Sequence, residues 1–143
     1  MSQTKQNKTE LSRREAREQA FALIFEKSFH DCGLDEIISN ASDASEIVVD
    51  NFAKKEAEGV YANLDEIDSI ISANLRGWTI TRISRIALSI LRLAVFEIKY
   101  SDEVPTSVAI NEAVELAKKF GTDDDPAYIN GVLGTVAKAV DEK

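Results

Sequence analysis

Three arginines, Arg13, Arg14 and Arg17, stand at the beginning of the first segment with helical periodicity. Arginine pairs bidentately with phosphate groups and stacks on nucleobases. Phe21 and Phe25 follow in the same segment, so aromatic rings are placed within two turns of the cations. These residue types favour binding of a nucleic acid. A solvated basic face, interleaved with acidic side chains, is the alternative.

One histidine and one cysteine, His30 and Cys32, are present in the chain. As general base and nucleophile they would need a third group to orient the base, and no such partner stands out. They also fall short of the ligand set of a structural zinc site. No phosphate-binding glycine loop, HExxH sequence or nucleophile elbow occurs. We therefore expect no catalysis, no metal and no cofactor.

Asp123, Asp124 and Asp125 form an acidic run directly before Pro126. Clustered carboxylates suit a hard cation. Acidic residues are also favoured at a helix N-terminus, so capping of the following helix is the preferred interpretation. A third alternative is that one of these carboxylates accepts hydrogen bonds from the edge of a base.

Charge is distributed unevenly in a chain whose net charge is -8. Residues 1–20 carry five basic and three acidic groups, and residues 76–100 carry five basic groups, including Arg76, against Glu97 alone. Residues 31–70 carry eleven acidic groups and two basic ones. Because a polyanion is bound by a positive surface, any nucleic-acid site should lie where the two basic segments meet.

The composition is typical of one helical domain. The chain has 143 residues, 44% of them apolar, with six Gly and two Pro, which is enough for a hydrophobic core. We expect a flexible N-terminal arm over residues 1–11 and a single all-α domain over residues 12–143. No apolar run is long enough for a membrane span or resembles a secretory signal. The predicted location is the cytoplasm.

Cap residues and apolar periodicity predict the helices of the first half. Ser12, with Glu15 three residues later, begins a helix over residues 13–29. After a short turn of helix at residues 34–38, Asp43 and Glu46 are expected to cap a helix over residues 43–59, with Ile47 facing inward and Gly59 as its end. Asn63 then opens a third helix.

The second half begins after Gly77. Its most apolar stretch, residues 80–98, predicts the central helix of the fold. A further helix follows Pro105 and ends at Gly121. Asp125 and Pro126 begin the last helix, as cap and first residue.

Four segments together resemble the NusB family, from about Ser12 to Val140. They are RREARE at residues 13–18, ILRLAVFE at residues 90–97, VAINEAVELAKKFG at residues 108–121 and YINGVL at residues 128–133. The resemblance implies an all-α fold of two packed three-helix subdomains, about 12–76 and 77–143. It also implies that the protein is a transcription antitermination factor that binds boxA-type single-stranded RNA together with the ribosomal protein NusE. The resemblance places this function within an antitermination complex with RNA polymerase.

The resemblance also implies roles for individual residues. Arg13, Arg14 and Arg17 would hold phosphates, and Asp124 would accept from a base. The other RNA contacts would be one cation and three rings: Lys119, Phe25, Phe120 and Tyr128. Arg85 and Arg92 in the central helix are assigned to the protein partner or to acidic neighbours. Asn130 and Gly131 are interpreted as structural, with a buried amide at Asn130 and a close helix approach at Gly131.

Two departures from the family pattern concern RNA affinity. Thr106 and Ser107 replace an aromatic and basic pair, and Ala87 and Leu88 replace an Asp-Arg pair. One basic RNA contact is therefore missing. We hypothesise that the chain alone binds RNA modestly and that the NusE-like partner supplies the rest.

Three alternatives remain open from the sequence. A helical interaction scaffold with little or no RNA binding agrees with the acidic balance. An enzyme of the ribosomal-RNA cytosine methyltransferase class, in which similar domains occur, is disfavoured because 143 residues leave no room for a cofactor-binding half. A homodimer that covers the aromatic and arginine surface when RNA is absent is the third.

Overall fold

The computed structural model describes residues 11–45, 48–75 and 77–141. Within this part of the chain all regular structure is helical, which confirms the predicted all-α class. The N-terminal arm predicted over residues 1–11, except for Leu11, lies outside the described residues, as do Glu46, Ile47 and Arg76. The helices are α1 (Arg13–Lys27), α2 (Leu34–Ser45), α3 (Asn51–Ala62), α4 (Leu64–Asn74), α5 (Arg85–Tyr100), α6 (Thr106–Phe120) and α7 (Asp125–Asp141).

Helix α1 begins where its sequence predicts. The Ser12 hydroxyl accepts a hydrogen bond from the Glu15 amide at 3.1 Å, and the Glu15 carboxylate accepts from the Ser12 amide at 2.9 Å. This capping box satisfies two donors that the first turn leaves open. One face of α1 is buried and carries Ala16, Ala20, Phe21, Leu23 and Ile24.

The predicted helix over residues 43–59 is wrong at both ends. Residues 34–45 form α2, and the next helix, α3, starts only at Asn51. Asp50 caps α3, because its carboxylate accepts from the Phe52 amide at 2.7 Å. Gln19 of α1 binds the segment that leads into α3 through two hydrogen bonds. Its side chain accepts from the Asp50 amide at 2.6 Å and donates to the Val48 carbonyl at 3.3 Å.

Gly59 does not end a helix, in contrast to the prediction, because α3 continues to Ala62. A methyl group at Gly59 would overlap the Cε1 and Cζ atoms of Phe96, so the glycine makes room for that ring. Asn63 follows α3, and its amide donates to the Gly59 carbonyl at 2.8 Å. It therefore closes α3 instead of capping α4, although α4 begins at Leu64 as predicted.

Helix α5 is central in the second half, as predicted, and packs against α4, α6 and α7. Its predicted start near residue 80 is wrong. The Arg82 amide donates to the Thr79 carbonyl at 2.9 Å in a turn, and the Ser84 hydroxyl caps α5 by accepting from the Ala87 amide at 3.0 Å. Gly77 adopts the left-handed conformation, with φ of 74°. The buried face of α5 includes Ile90, Leu91, Leu93, Ala94 and Val95.

The chain divides into two compact units between Glu58 and Gly59. The sequence places this boundary near residue 76 instead. The position differs because α4 packs against α5 and α7 of the second unit. The first unit has α1, α2 and the first part of α3, and the second has the end of α3 together with α4 to α7. No described helix is both long and apolar enough to cross a membrane.

Candidate nucleic-acid interface

Arginines of α1 lie over an aromatic ring in the first unit. The guanidinium carbon of Arg13 lies 3.9 Å from the centroid of the Phe52 ring, and that of Arg17 lies 5.6 Å from it. Cations at a helix N-terminus oppose the helix dipole, by ~0.3–1 kcal/mol each. A cation over a ring recovers ~0.5–1 kcal/mol at an exposed site and more when desolvated. Phe52 therefore offsets the unfavourable placement of the basic groups.

The three arginines differ in exposure, which divides their roles. Arg13 and Arg14 are exposed on the first turn of α1. Arg17 is only 5% exposed. A side chain this deeply buried is not presented to a phosphate backbone in this arrangement, so the expectation that Arg17 holds a phosphate is corrected. Its position suits support of the Phe52 ring.

Aromatic side chains continue along α1 at intervals of one turn. The ring centroids of Phe21 and Phe25 lie 6.0 Å apart in a stacked arrangement, and Phe25 meets Phe29 edge-on at 4.9 Å. Phe25 is partly exposed. It can offer part of its ring to a ligand while Phe21 anchors it to the core.

In the second unit, the predicted cation and rings lie around the end of α6 and the start of α7. Phe120 is 38% exposed, and the Lys119 ammonium lies 5.5 Å from the centroid of its ring. Asp124 is exposed and Tyr128 is partly exposed. The structure therefore brings Lys119 and Phe120 together, and places Asp124 and Tyr128 in the wall of one cavity.

This cavity has a volume of about 410 Å³. Besides Asp124 and Tyr128, it is lined by Trp78 and Arg82 of the turn that precedes α5, and by Ala87 of that helix. Trp78 is 54% exposed. Indole and phenol rings beside a guanidinium and a carboxylate provide stacking surface, donors and an acceptor, which are the groups that recognise an unstacked base.

The loop that carries Asp124 is fixed by its neighbours. Asp125 accepts a hydrogen bond from the Thr122 amide at 3.0 Å. A side chain at Gly121 would overlap the Asp125 carboxylate, so glycine leaves room for that carboxylate beside the Thr122 amide. The predicted forward cap at Asp125 is wrong, because α7 begins at Asp125 itself and its carboxylate closes the preceding turn. Asp124 is left exposed at the cavity.

Trp78, Arg82 and Phe52 are the site residues that sequence reasoning missed. Arg82 had a signal, since it belongs to the second basic segment. Trp78 stood beside a glycine turn and was interpreted only as the start of the second half. Phe52 carried no local signal, because its role depends on an α1 arginine 39 positions earlier in the chain.

Arg92 is engaged within the second unit. Its Nε and Nη2 atoms each donate to one Asp68 oxygen at 2.9 Å, which joins α5 to α4. This bidentate ion pair corrects its interpretation as a partner contact and agrees with the alternative of an acidic neighbour. Arg85, the first residue of α5, is exposed.

The structural interpretation of Asn130 and Gly131 is wrong. Asn130 is exposed, so it is not a buried amide. It lines a groove between α6 and α7 with Asn111, Val114 and Pro126. Nothing lies within 4 Å of a methyl group placed at Gly131, so no neighbouring helix requires a glycine there.

The comparisons with known proteins are consistent. The sequence model of the NusB family matches residues 14–138. The transcription antitermination protein NusB of Listeria monocytogenes serotype 4a is 43% identical over 127 residues, covering 89% of this chain and 97% of that protein. Its counterpart in Clostridium novyi is 39% identical over 133 residues, covering 90% of this chain and 100% of that protein.

Solved structures agree with this fold. T. maritima NusB superposes with a TM-score of 0.79 at 33% identity, covering 90% of this chain and 92% of that one. A crystal structure of the antitermination factors NusB and NusE in complex with dsRNA gives a TM-score of 0.78 at 25% identity, covering 89% of this chain and 96% of that one. With its sequence and its fold both matched over most of its length, the chain belongs to the NusB family.

Proposed function

We propose that this protein is a transcription antitermination factor that binds boxA-type single-stranded RNA together with the ribosomal protein NusE and thereby supports transcription of ribosomal RNA. The observation that carries the proposal is the similarity, over 89% of the chain, to a NusB that was solved with NusE and RNA. The role is binding and not catalysis. It places the protein in the cytoplasm, within an antitermination complex with RNA polymerase.

The RNA site has two parts. Arg13 and Arg14 of α1 hold phosphates, with Phe25 as an adjacent ring. Around the cavity of the second unit, Trp78 and Tyr128 stack on bases. The remaining contacts are polar or aromatic side chains of the same region: Arg82, Lys119, Phe120 and Asp124. That one RNA strand engages both parts remains a prediction from the sequence.

A titration of boxA-type RNA tests the first part of the site. We expect Arg14→Gln to weaken binding at every RNA sequence and to reduce the salt slope by about 0.7 for the lost single-strand phosphate contact. Lys138→Gln is the matched control, because it removes an exposed cation from α7 outside the site. Equal affinity and salt slope for both variants would contradict a phosphate contact at Arg14.

The stacking part of the site has its own test. Trp78→Ala should weaken RNA binding by ~1–3 kcal/mol if the indole stacks on a base. Since Trp78 is half-exposed, circular dichroism should show an unchanged fold. Crosslinking with 4-thiouridine RNA should label peptides from both α1 and residues 119–128. Absence of label from either peptide would contradict the corresponding part of the proposed RNA site.

RNA affinity measured with and without NusE distinguishes this proposal from the scaffold alternative. The burial of Arg17 favours the scaffold. The chain alone should bind RNA modestly, and addition of NusE should raise the affinity. If the protein binds NusE tightly and its RNA affinity is the same with and without NusE, the protein is a scaffold. Nanomolar affinity without NusE would contradict the need for the partner.

A further inference from the structure

The first unit contains a cleft of about 480 Å³ that the proposed RNA site does not use. Its floor is apolar and is formed by Leu23 of α1 with Ile37 and Ala41 of α2. Ala22 and Val49 line it nearer the solvent. Ligand sites in proteins are commonly concave, mainly apolar and of comparable size, about 300–1,000 Å³.

The walls of the cleft are held in place by hydrogen bonds. Both bonds of the Gln19 side chain to the 48–50 segment, described above, fix that segment against α1, and Gln19 itself lines the cleft. Two exposed apolar side chains are next in sequence to lining residues of the cleft. Val48, next to Val49, is 61% exposed, and Phe29, next to the lining residue His30, is 54% exposed.

The charge around the cleft has one predominant sign. Residues 31–41, which run from the turn before α2 into that helix, contain three acidic residues and no lysine, arginine or histidine. Asp31, Asp35 and Glu36 are exposed. On the α1 side Glu26 lines the cleft and lies 3.3 Å from His30, whereas the Lys27 ammonium donates to the His30 carbonyl. Glu26 and the exposed carboxylates next in sequence to the lining residues Cys32 and Ile37, which are Asp31 and Glu36, form the acidic rim of the cleft. These carboxylates disfavour a phosphate backbone there.

We propose that the cleft between α1, α2 and the 48–50 segment is a docking site for a basic amphipathic helix of a protein partner. Apolar side chains at i, i+3, i+4 and i+7 of such a helix would enter the cleft, while its lysines or arginines face the acidic rim. Complementary charge at the rim accelerates encounter and selects the partner, and the apolar floor retains it. The site is separate from the proposed RNA contacts.

A fluorescent peptide of about 15 residues, with leucines at this spacing and lysines elsewhere, is the probe for anisotropy titrations. Two further peptides, with Glu in place of Lys and with Ser in place of Leu, test the charge and the apolar face. We expect only the Leu-Lys peptide to bind, and more weakly at high salt. Binding of the Glu peptide with equal affinity, or no binding of the Leu-Lys peptide, would overturn the proposal.

Ala22→Lys puts a long cationic side chain at the opening without changing the core, since Ala22 is exposed on α1. This substitution should lower the affinity for the Leu-Lys peptide about tenfold or more, because the new side chain is bulky and has the same charge as the peptide. Ala139→Lys makes the same change at an exposed position of α7 and should have no effect. Equal affinities for the two variants would refute the location. Glu36→Lys should weaken binding through the rim alone, since Glu36 is exposed on α2 beside the lining residue Ile37, and an unchanged affinity there would refute the role of charge.

Cys32 gives a second readout, because it lines the cleft and is the one cysteine of the chain. A maleimide on the Leu-Lys peptide should react with Cys32 in the wild type faster than in Ala22→Lys. Excess single-stranded RNA should not displace the peptide. Displacement by RNA would assign the peptide to the RNA surface and overturn the proposal, whereas loss of RNA binding in other variants would leave it unaffected.

Discussion

The guanidinium carbon of Arg13 lies 3.9 Å from the centroid of the Phe52 ring, so the start of α1 is tied to the start of α3 within the first unit. The ring sets where the basic groups of α1 stand. Phe52 is uncharged, yet its contact with Arg13 influences where that positive charge lies on the surface.

Replacing Phe52 by leucine removes the aromatic ring but keeps an apolar side chain. The variant therefore measures what the ring itself contributes to stability. We expect Phe52→Leu to lower the free energy of unfolding by ~0.5–2 kcal/mol through the lost cation-ring contacts. RNA affinity should also fall, because Arg13 loses its support. Urea unfolding and RNA titration measure the two effects. Phe52→Tyr keeps a ring and should behave as the wild type, and equal losses in both variants would contradict this account.

Gly59 and Gly134 offer a matched pair of helix glycines. Alanine in a helix interior is normally more stable than glycine by roughly 0.5–1 kcal/mol. Gly134→Ala should show this gain, because nothing lies within 4 Å of the added methyl group. Gly59→Ala should instead lower the melting temperature, because its methyl group overlaps the Phe96 ring. A stabilised Gly59→Ala would mean that the ring moves aside at little cost.

The Asp68 carboxylate and the Arg92 guanidinium should be energetically coupled. Asp68→Asn leaves a largely buried cation without its counter-charge, and we expect a loss of ~1–3 kcal/mol in unfolding free energy. A double-mutant cycle with Arg92→Met measures the coupling. Glu66→Gln is the control on the same helix. Its partner Lys99 is 4.0 Å away and Glu66 is exposed, so its loss should be below about 1 kcal/mol.

Tyr61 should give the protein a pH dependence in the alkaline range. Burial raises the pKa of Tyr61, and the nearby Asp68 adds to this rise, while Arg92 opposes it through its charge and a hydrogen bond. The fold therefore favours the neutral phenol. This contribution is complete below the pKa of about 10 in the unfolded chain and is lost as pH rises towards the folded pKa.

Urea unfolding at several alkaline pH values tests this expectation. The unfolding free energy of the wild type should fall more steeply above about pH 10 than that of Tyr61→Phe, which has no phenolic proton to lose. Absorbance at the phenolate band should show a late-titrating phenol in the folded wild type that is missing in Tyr61→Phe. Parallel pH profiles for the two proteins would contradict a raised pKa at Tyr61.

Local signals predicted some elements well. The capping box at Ser12 and Glu15 needs only neighbouring residues, and α6 is bounded by Pro105 and Gly121 in the sequence itself. The start of α3 was missed because the Asp50 cap is held by Gln19, 31 residues earlier. Gly59 was misread because its partner Phe96 lies on another helix. Helix class follows from periodicity, whereas helix ends often depend on distant contacts.

The candidate site shows the same division. Residue types predicted Arg13, Arg14 and the rings near α7, because cations and aromatic groups are visible in the sequence. Burial is not visible there, and Arg17 looks equivalent to its neighbours until the fold covers it. Trp78 could be recognised only when the turn before α5 and the loop before α7 were seen to line one cavity.

In the turn before α7, the adjacent residues Asp124 and Asp125 have different roles. The Asp125 carboxylate accepts from the Thr122 amide and holds the loop beside Gly121, while the exposed Asp124 side chain lines the cavity. If Asp124 reads a base, its side chain can be exchanged without remodelling the backbone that carries it. Relatives of this protein could therefore acquire new nucleotide preferences through single replacements at this position, with folding left intact.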